Sequence, residues 1–264
     1  MARRLLAAAL ALAAWLGARA DTHGALHERH AAQMWEHRGD ARGIVELYLA
    51  SDLLDAVDSA EPFEAALKNV VQAPDADPEV QAHAAARLAK CLRDRGAQEE
   101  ADRLDASLGY LLKWRVLGPF DDDNKQGYDL PFPPEIELQY EGTFRGKSHS
   151  VTWRPAPAQL TGGVVPLDQL MDPSENVAGY ALTFIKAAAD TPCVLRGGYN
   201  EAYKLWVNGE LIAARKQYNG RAFDQFADPC TMRKGWNIAL GKVCNQEAGW
   251  NFLLRATDAA GRAL

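Results

Sequence analysis

The hydrophobic pattern of this sequence changes its period near residue 108, and this change constrains the fold more than any other feature. Between residues 23 and 108, apolar side chains recur three or four positions apart, which is typical of amphipathic helices. Beyond residue 108, apolar and polar side chains alternate and turn residues become frequent, which predicts β-strands. The sequence therefore predicts an α+β, multidomain protein with an α-helical segment followed by a β domain.

The helical signal is clearest between Asp77 and Gly96. Asp77-Pro78 supplies a capping side chain followed by a proline at the first helical position, and Gly96 ends the helix. Cys91 lies on the apolar face of this helix, so we expect its thiol to be buried. We predict an α-helical domain over residues 21–108.

The β half contains several short alternating segments without helices between them. Asn208-Gly209 separates two of these segments, and the pair favours the type I′ turn of a tight hairpin because both central residues need positive φ. Consecutive strands of this kind predict an antiparallel sandwich over residues 110–264. The predicted strands are 114–120, 151–154, 180–187, 193–197, 203–207, 237–243 and 250–257.

The beginning of the chain has the pattern of a cleavable secretory signal peptide over residues 1–20. Two arginines precede a short apolar run over residues 5–17, and Ala18-Arg19-Ala20 supplies small residues around a cleavage point. This run is shorter than the roughly 20 apolar residues that a membrane-spanning helix needs, so no membrane insertion is expected. We predict an exported, periplasmic or extracellular protein that begins at Asp21.

Charge narrows the range of partners. The formal net charge is −6, and removal of the predicted signal peptide takes away three arginines and no acidic residue. Nucleic acid and anionic membranes both attract positive surfaces. An acidic chain of this kind is therefore not expected to bind nucleic acid.

Cysteine spacing indicates a single bridge at most within the β half. None of the four cysteines forms the close pairs that zinc sites use. Three of them follow residue 190, so one internal disulfide can form there and one thiol is left over. Our predicted pairing is Cys193 with Cys230.

No catalytic motif stands out. Residues 142–148 imitate a phosphate-binding loop but are one residue short and lead into a predicted strand, and no G-x-S-x-G elbow occurs. Cysteine and histidine concentrate in different halves, which disfavours a nucleophilic pair. We therefore predict a non-catalytic protein, and an enzyme with a cleft between the two halves remains an alternative.

Two stretches of the β half carry a resemblance to a known family. Residues 203–210 read YKLWVNGE, and residues 234–240 read KGWNIAL. A W-V-N-G hairpin followed by a G-x-N turn resembles the galactose-binding-like jelly-roll domain, over roughly residues 110–264. The family includes non-catalytic sugar-binding domains and carbohydrate-binding modules, so the resemblance implies carbohydrate recognition. Residues 84–104 resemble a tetratricopeptide helix pair, which implies contact with protein.

Two loop-like stretches combine aromatic and polar side chains, as a sugar site requires. They flank the predicted hairpin, so we expect them at the same end of the sandwich; the alternative is that they are ordinary connecting turns. The candidate ligand-binding residues are Tyr199, Asn200, Glu201, Tyr218, Asn219 and Arg221. The tryptophans expected in the core or at its rim are Trp114, Trp206, Trp236 and Trp250.

Two stretches are candidates for metal binding, and no other cofactor is expected. Asp121, Asp123 and Asp129 lie in an acidic turn that can offer oxygen ligands to calcium, and the alternative is a solvated acidic turn. After cleavage, Asp21, Thr22 and His23 would supply four nitrogens in a plane, an arrangement that selects Cu(II) or Ni(II). Histidines 27, 30 and 37 follow at near-helical spacing.

Together these features predict an exported, non-catalytic recognition protein. The β-sandwich would bind carbohydrate, and the helical half would contact protein. The alternative function, of a different class, is that of a structural interaction module that binds protein and has no small ligand.

Overall fold

The computed structural model describes residues 23–139 and 141–264. The chain divides into two compact units, Met1–Leu104 and Asp105–Leu264. The first unit is helical and the second is built mainly from antiparallel strands, which confirms the predicted fold class. The predicted signal peptide lies outside the described residues. Among the described helices, none combines the length and the apolar character that crossing a membrane would require.

The helical unit has its own apolar core. Helix α4 packs on both α2 and α3, and its apolar face supplies Leu88 and Cys91 to the core. The predicted cap is present, because Asp77 Oδ1 accepts a hydrogen bond of 2.8 Å from the Glu79 amide. The helices are α1 over residues 23–36, α2 Arg42–Asp52, α3 Glu61–Gln72, α4 Pro78–Asp94 and α5 Gln98–Ser107.

The described residues of the second unit form twelve strands and two short α-helices. The strands are β1 Arg115–Asp121, β2 Phe144–Arg145, β3 Ser150–Val151, β4 Arg154–Pro155, β5 Val165–Pro166, β6 Val177–Ala187, β7 Thr191–Tyr199, β8 Tyr203–Val207, β9 Glu210–Arg215, β10 Phe226–Met232, β11 Gly235–Asn245 and β12 Asn251–Thr257. The helices are α6 Pro133–Ile136 and α7 Leu167–Leu170.

These strands form two main antiparallel sheets. The larger sheet has six strands in the order β4-β1-β6-β11-β8-β9, and the smaller has four in the order β10-β7-β12-β5. Their inner faces share one apolar core, in which Trp114, Trp250 and Phe252 are buried. Asn208 and Gly209 have φ values of 52° and 84°, so the hairpin between β8 and β9 has the predicted type of turn.

A second apolar layer covers part of the outer face of the larger sheet. The connection between β1 and β4 crosses this face and packs Tyr128, Phe132 and Trp153 against the side chains of the sheet. Tyr180 on β6 and Leu240 on β11 lie beneath it. Toward the other end of the same face the side chains of β6 and β11 are more exposed, and the candidate site lies there.

Candidate functional site

The end of the larger sheet away from this layer presents a group of exposed apolar side chains. Outward residues alternate along β6 and β11, and exposed aromatic side chains lie near the end of β6 and at the start of β11. Phe184 is 44% exposed and Trp236 is 68% exposed. We call this surface the aromatic face. It consists of Phe184, Trp206, Leu211, Trp236 and Ile238.

Strand register explains why these side chains are neighbours. Ile238 is paired with Phe184 across the β6–β11 ladder, and Trp206 is paired with Leu211 across the β8–β9 ladder. Paired residues on neighbouring antiparallel strands point to the same side of a sheet, with Cβ atoms about 5 Å apart. Lys186 is paired with Trp236, and its ammonium lies 5.8 Å from the centre of the indole ring. The aromatic face therefore rests on paired strands, whose register places its side chains next to one another.

A groove separates the aromatic face from the covered end of the sheet. Its volume is about 240 Å³, which is room for a small ligand or one unit of a longer one. Trp206 forms one side, and Ile136, which is 73% exposed, lies on α6 at the other. The described residues that line it are Pro134, Glu135, Ile136, Leu138, Trp206, Gly209, Ile238 and Leu240. Glu135 is the single charged residue among them.

Glu135 is held in position by two donors from the sheet. Lys242 Nζ lies 2.6 Å from Glu135 Oε1, and the Tyr180 hydroxyl donates a hydrogen bond to the same oxygen. Lys242 also donates to the carbonyl oxygens of Tyr128 and Leu130, at 3.2 and 2.8 Å. Burial lowers the pKa of Lys242, and burial together with the Glu135 charge raises the pKa of Tyr180.

The second carboxylate oxygen of Glu135 is less constrained. Glu135 Oε2 lies 3.9 Å from Lys204 Nζ, which is longer than a hydrogen bond. A carboxylate oxygen accepts more than one hydrogen bond, so Oε2 keeps its capacity to accept. The groove thus combines an indole wall with a fixed acceptor. A glycosidase instead needs two carboxylates across the scissile bond, and this lining contains one.

The two predicted loops do meet at one end of the sandwich. The Glu201 amide donates to the Asn219 carbonyl at 2.9 Å. Arg221 Nε donates to Asn251 Oδ1 at 2.5 Å, which joins the loop before β10 to the start of β12. The amide of Gln246 donates to Glu201 Oε2 at 2.6 Å. These loops therefore bond to one another.

The tyrosines of those loops are not available for stacking. Tyr199 is 2% exposed and its ring stacks on Tyr203, with 4.8 Å between the ring centres. The expectation that Tyr199 is an exposed stacking residue is therefore wrong. Tyr218 packs against the outer apolar layer, and Lys125 Nζ lies 3.7 Å from the centre of its ring. Asn200 is partly buried, with its Oδ1 unpaired among the described residues.

The acidic turn does not gather its carboxylates around a cation site. Lys147 Nζ lies 2.9 Å from Asp121 and 2.6 Å from Asp123, so an ammonium occupies the position where calcium was expected. Asp129 pairs with Lys216 instead. In residues 23–139 and 141–264, no group of three or more His, Cys, Asp or Glu side chains is arranged to hold a metal. The calcium hypothesis is corrected accordingly.

The terminal copper or nickel site stays a prediction, because Asp21 and Thr22 lie outside the described residues. Downstream histidines of the same helix make other contacts. His27 is buried with its ring edge against Phe63, and His30 Nδ1 lies 2.6 Å from Glu46. These imidazoles therefore serve the packing of the helical unit.

Two of the three cysteines of the β half lie next to each other. Cys193 and Cys230 lie opposite each other on β7 and β10, with their Sγ atoms 3.2 Å apart. Cys244 is buried elsewhere, on β11 beneath the outer apolar layer. Both members of the predicted pair are free thiols in this structure.

Sequence reasoning missed the aromatic face. Trp114 and Trp250 are core residues as expected, but Trp206 lines the groove and Trp236 projects into solvent. The available signal was Lys242, a charged residue inside an otherwise apolar strand. It indicates that this face of β11 is not a simple core surface.

No protein-family model matches the sequence, and no curated protein matches it either. Similarities to solved structures are low. A family 35 carbohydrate binding module from Clostridium thermocellum is 14% identical, with a TM-score of 0.24 over 31% of this chain and 72% of that chain. A β-glucosidase from Kluyveromyces marxianus in complex with glucose is 15% identical, with a TM-score of 0.34 over 55% of this chain and 16% of that chain. A glycosyl hydrolase family 2 member from Bacteroides cellulosilyticus DSM 14838 is 10% identical, with a TM-score of 0.35 over 57% of this chain and 20% of that chain.

Proposed function

We propose that the β-sandwich unit is a non-catalytic module that binds carbohydrate on the aromatic face and in the adjoining groove. The observation that carries this proposal is the exposed indole of Trp236 on a flat sheet surface that continues to Trp206. Contiguous exposed apolar patches on folded domains often mark binding sites. Trp236, which adjoins Ile238 and the groove at Trp206, therefore marks the proposed binding surface.

The chemistry of the surface matches a sugar better than a purely apolar ligand. Sugar rings present C–H faces that pack on aromatic rings, and hydroxyls that need acceptors and donors. Trp206 and Trp236 would take the ring faces. Glu135 Oε2 would accept a hydrogen bond from a sugar hydroxyl. Lys204 Nζ lies 3.9 Å from that oxygen, so it would be near enough to donate a second hydrogen bond to the same sugar.

Within the groove, the position of Glu135 favours binding over hydrolysis. Its Oε1 already accepts hydrogen bonds from Lys242 and from Tyr180, so this oxygen is engaged by the fold itself. A retaining or inverting glycosidase would need a partner carboxylate about 5 to 10 Å away across the groove. We therefore assign recognition to this site and not catalysis.

We extend the proposal to the rest of the chain. Export, directed by residues 1–20, would place the sandwich where polysaccharides are accessible. The helical unit would bind a protein partner, a role suggested by the resemblance of residues 84–104 to a tetratricopeptide pair. N-terminal sequencing of the exported protein tests the first point, because cleavage predicts a new terminus at Asp21.

The binding proposal is tested with native gels that contain xylan, galactomannan or mixed-linkage β-glucan. We expect at least one polymer to slow the migration of the full chain through the gel. Trp236→Ala should weaken that binding by about tenfold, which corresponds to a contact worth about 1.4 kcal/mol. Trp35→Ala is the matched control, because Trp35 is an exposed tryptophan of the helical unit.

Three outcomes separate the possibilities. Weaker binding by Trp236→Ala with an unchanged melting temperature supports the sugar site. Equal binding by wild type and Trp236→Ala places the ligand elsewhere. If no polymer slows the wild-type chain, the aromatic face is a surface for a protein, and the sugar proposal is wrong.

A further inference from the structure

Two cysteines face each other at the edge of the smaller sheet. Cys193 on β7 is directly paired with Cys230 on β10, and their Sγ atoms are 3.2 Å apart, joined by a thiol hydrogen bond. A disulfide brings two sulfurs to about 2 Å, so these atoms need to approach by only about 1 Å. The pair is therefore placed for a covalent bond.

Access to the two thiols is unequal. Cys193 is buried in the main core, whereas Cys230 is partly exposed on β10, the edge strand of its sheet. Its chain neighbours Pro229 and Thr231 are exposed. A small reagent can consequently reach Cys230 first, while Cys193 is protected until Cys230 has reacted.

Electrostatics also distinguishes this pair from the other cysteines. The hydrogen bond between the two thiols lowers the pKa of Cys193, because the Cys230 thiol stabilises its thiolate, and it raises the pKa of Cys230, which keeps the shared proton. Burial instead raises the pKa of Cys91 and of Cys244. Since the thiolate is the reactive form, the facing pair should react, and the two buried cysteines should be inert.

We propose that Cys193 and Cys230 form a redox-active pair, which a disulfide oxidant converts into a cross-strand disulfide. The Cys230 thiolate, formed by proton exchange with its partner, attacks one sulfur of the oxidant and releases one thiol. The Cys193 thiolate then attacks Cys230 Sγ and displaces the second thiol. Two protein thiols are oxidised, the S–S bond of the oxidant is reduced, and the two protons end on the released thiols.

The bond would join parts of the chain that are otherwise held by weaker contacts. β10 is an edge strand that pairs with β7, and an ion pair of 2.5 Å between Arg215 on β9 and Asp228 on β10 ties it to the larger sheet. The chain between the two cysteines includes β8 and β9, which belong to the larger sheet. Closing this loop restricts the unfolded chain, so oxidation should raise the melting temperature by on the order of 10 °C.

The test uses the full chain incubated with oxidised glutathione, then unfolded and alkylated without reductant. We expect the intact mass to show loss of two hydrogens, about 2 Da. Peptide mapping should find the peptides of Cys193 and Cys230 linked, and Cys91 and Cys244 alkylated. The melting temperature should rise on oxidation and return to its first value after reduction.

Serine variants provide the controls. Cys230→Ser should abolish both the linked peptide and the rise in melting temperature, while Cys91→Ser should keep both. If a serine variant does not fold, the peptide map of the wild-type chain still decides. Complete alkylation of Cys193 and Cys230 after oxidant treatment, or linkage through Cys244, would overturn the proposal.

Discussion

Lys242 Nζ lies 2.6 Å from Glu135 Oε1, which joins two residues 107 positions apart in the chain. Lys242 is 0% exposed and Glu135 is nearly buried, so this ion pair is inside the protein. It holds the short helix α6 against β11. Because α6 forms one side of the groove, the pair positions part of the candidate binding site as well as stabilising the fold.

Lys242→Met should be strongly destabilising. The substitution keeps most of the side-chain volume but leaves the Glu135 carboxylate without its buried cation, and breaking such a pair typically costs about 3 to 5 kcal/mol. Urea denaturation of the full chain measures the loss. The exposed Lys90 pairs with Asp94, so Lys90→Met is the control and should change the free energy of unfolding by less than about 0.5 kcal/mol. A similar small loss for Lys242→Met would contradict the role of the pair.

Tyr199→Ala should damage the fold, not a surface site. The ring of Tyr199 stacks on Tyr203 and contacts Phe226 in the main core, and removing a buried aromatic ring costs about 3 to 5 kcal/mol. Tyr199→Phe keeps the ring, so it should cost about 1 kcal/mol or less. Thermal melts of the two variants distinguish these effects. An unchanged melt for Tyr199→Ala would restore the interpretation of Tyr199 as an exposed residue.

The strand pattern was largely predictable because most strands alternate clearly. The boundaries predicted for 203–207 agree with β8, and the hairpin turn follows from Asn208-Gly209. β10 was missed, because FADPCTM contains an Asp-Pro pair, which favours turns. A proline is tolerated there because β10 is an edge strand, a property of the assembled sheet that local sequence does not reveal.

The candidate site was less predictable for a related reason. β11 has apolar residues on both faces, since Ala239 and Val243 point to the main core while Ile238 and Leu240 point outward. Periodicity identifies such a strand but not which end of its outer face is covered. The cover comes from the connection between β1 and β4, which is distant in sequence. The exposure of Trp236 therefore depends on tertiary packing, which the periodicity of the strand does not report.

Calcium should not affect the stability of this protein. Lys147 Nζ already bonds to Asp121 and Asp123 and donates to the Asn176 carbonyl at 2.7 Å. A calcium ion would have to displace this ammonium and recruit Asp129, which pairs with Lys216. We expect the same melting temperature in millimolar calcium chloride and in EGTA. A rise of several degrees with calcium would show that the turn rearranges to bind the ion.

Acid should weaken the helical unit through Glu46. This side chain is buried, and the hydrogen bond from His30 Nδ1, followed by that from Arg42 Nε, lowers its pKa below the ordinary 4.5. A carboxyl group whose pKa is lowered on folding contributes stability that is present above its unfolded pKa. That stability is lost as pH falls through the lower folded pKa. Glu46 should therefore stabilise the unit at pH 6 to 7 and contribute progressively less as the pH falls below 4.5 toward the lower folded pKa.

Comparison of Glu46→Gln with wild type isolates this contribution, because glutamine keeps the shape and removes the charge. At pH 7 the variant should be less stable by about 1 to 2 kcal/mol, the typical net value of hydrogen bonds to a charged group. The difference should shrink steadily as the pH of the denaturation experiments falls below 4.5, since wild-type Glu46 then becomes neutral as well. Asp94→Asn is the control, because Asp94 lies in an exposed pair with Lys90 and should show a small effect at every pH. A difference between Glu46→Gln and wild type that is constant from pH 7 to pH 3 would mean that the shape of the side chain, and not its charge, stabilises the contact with His30.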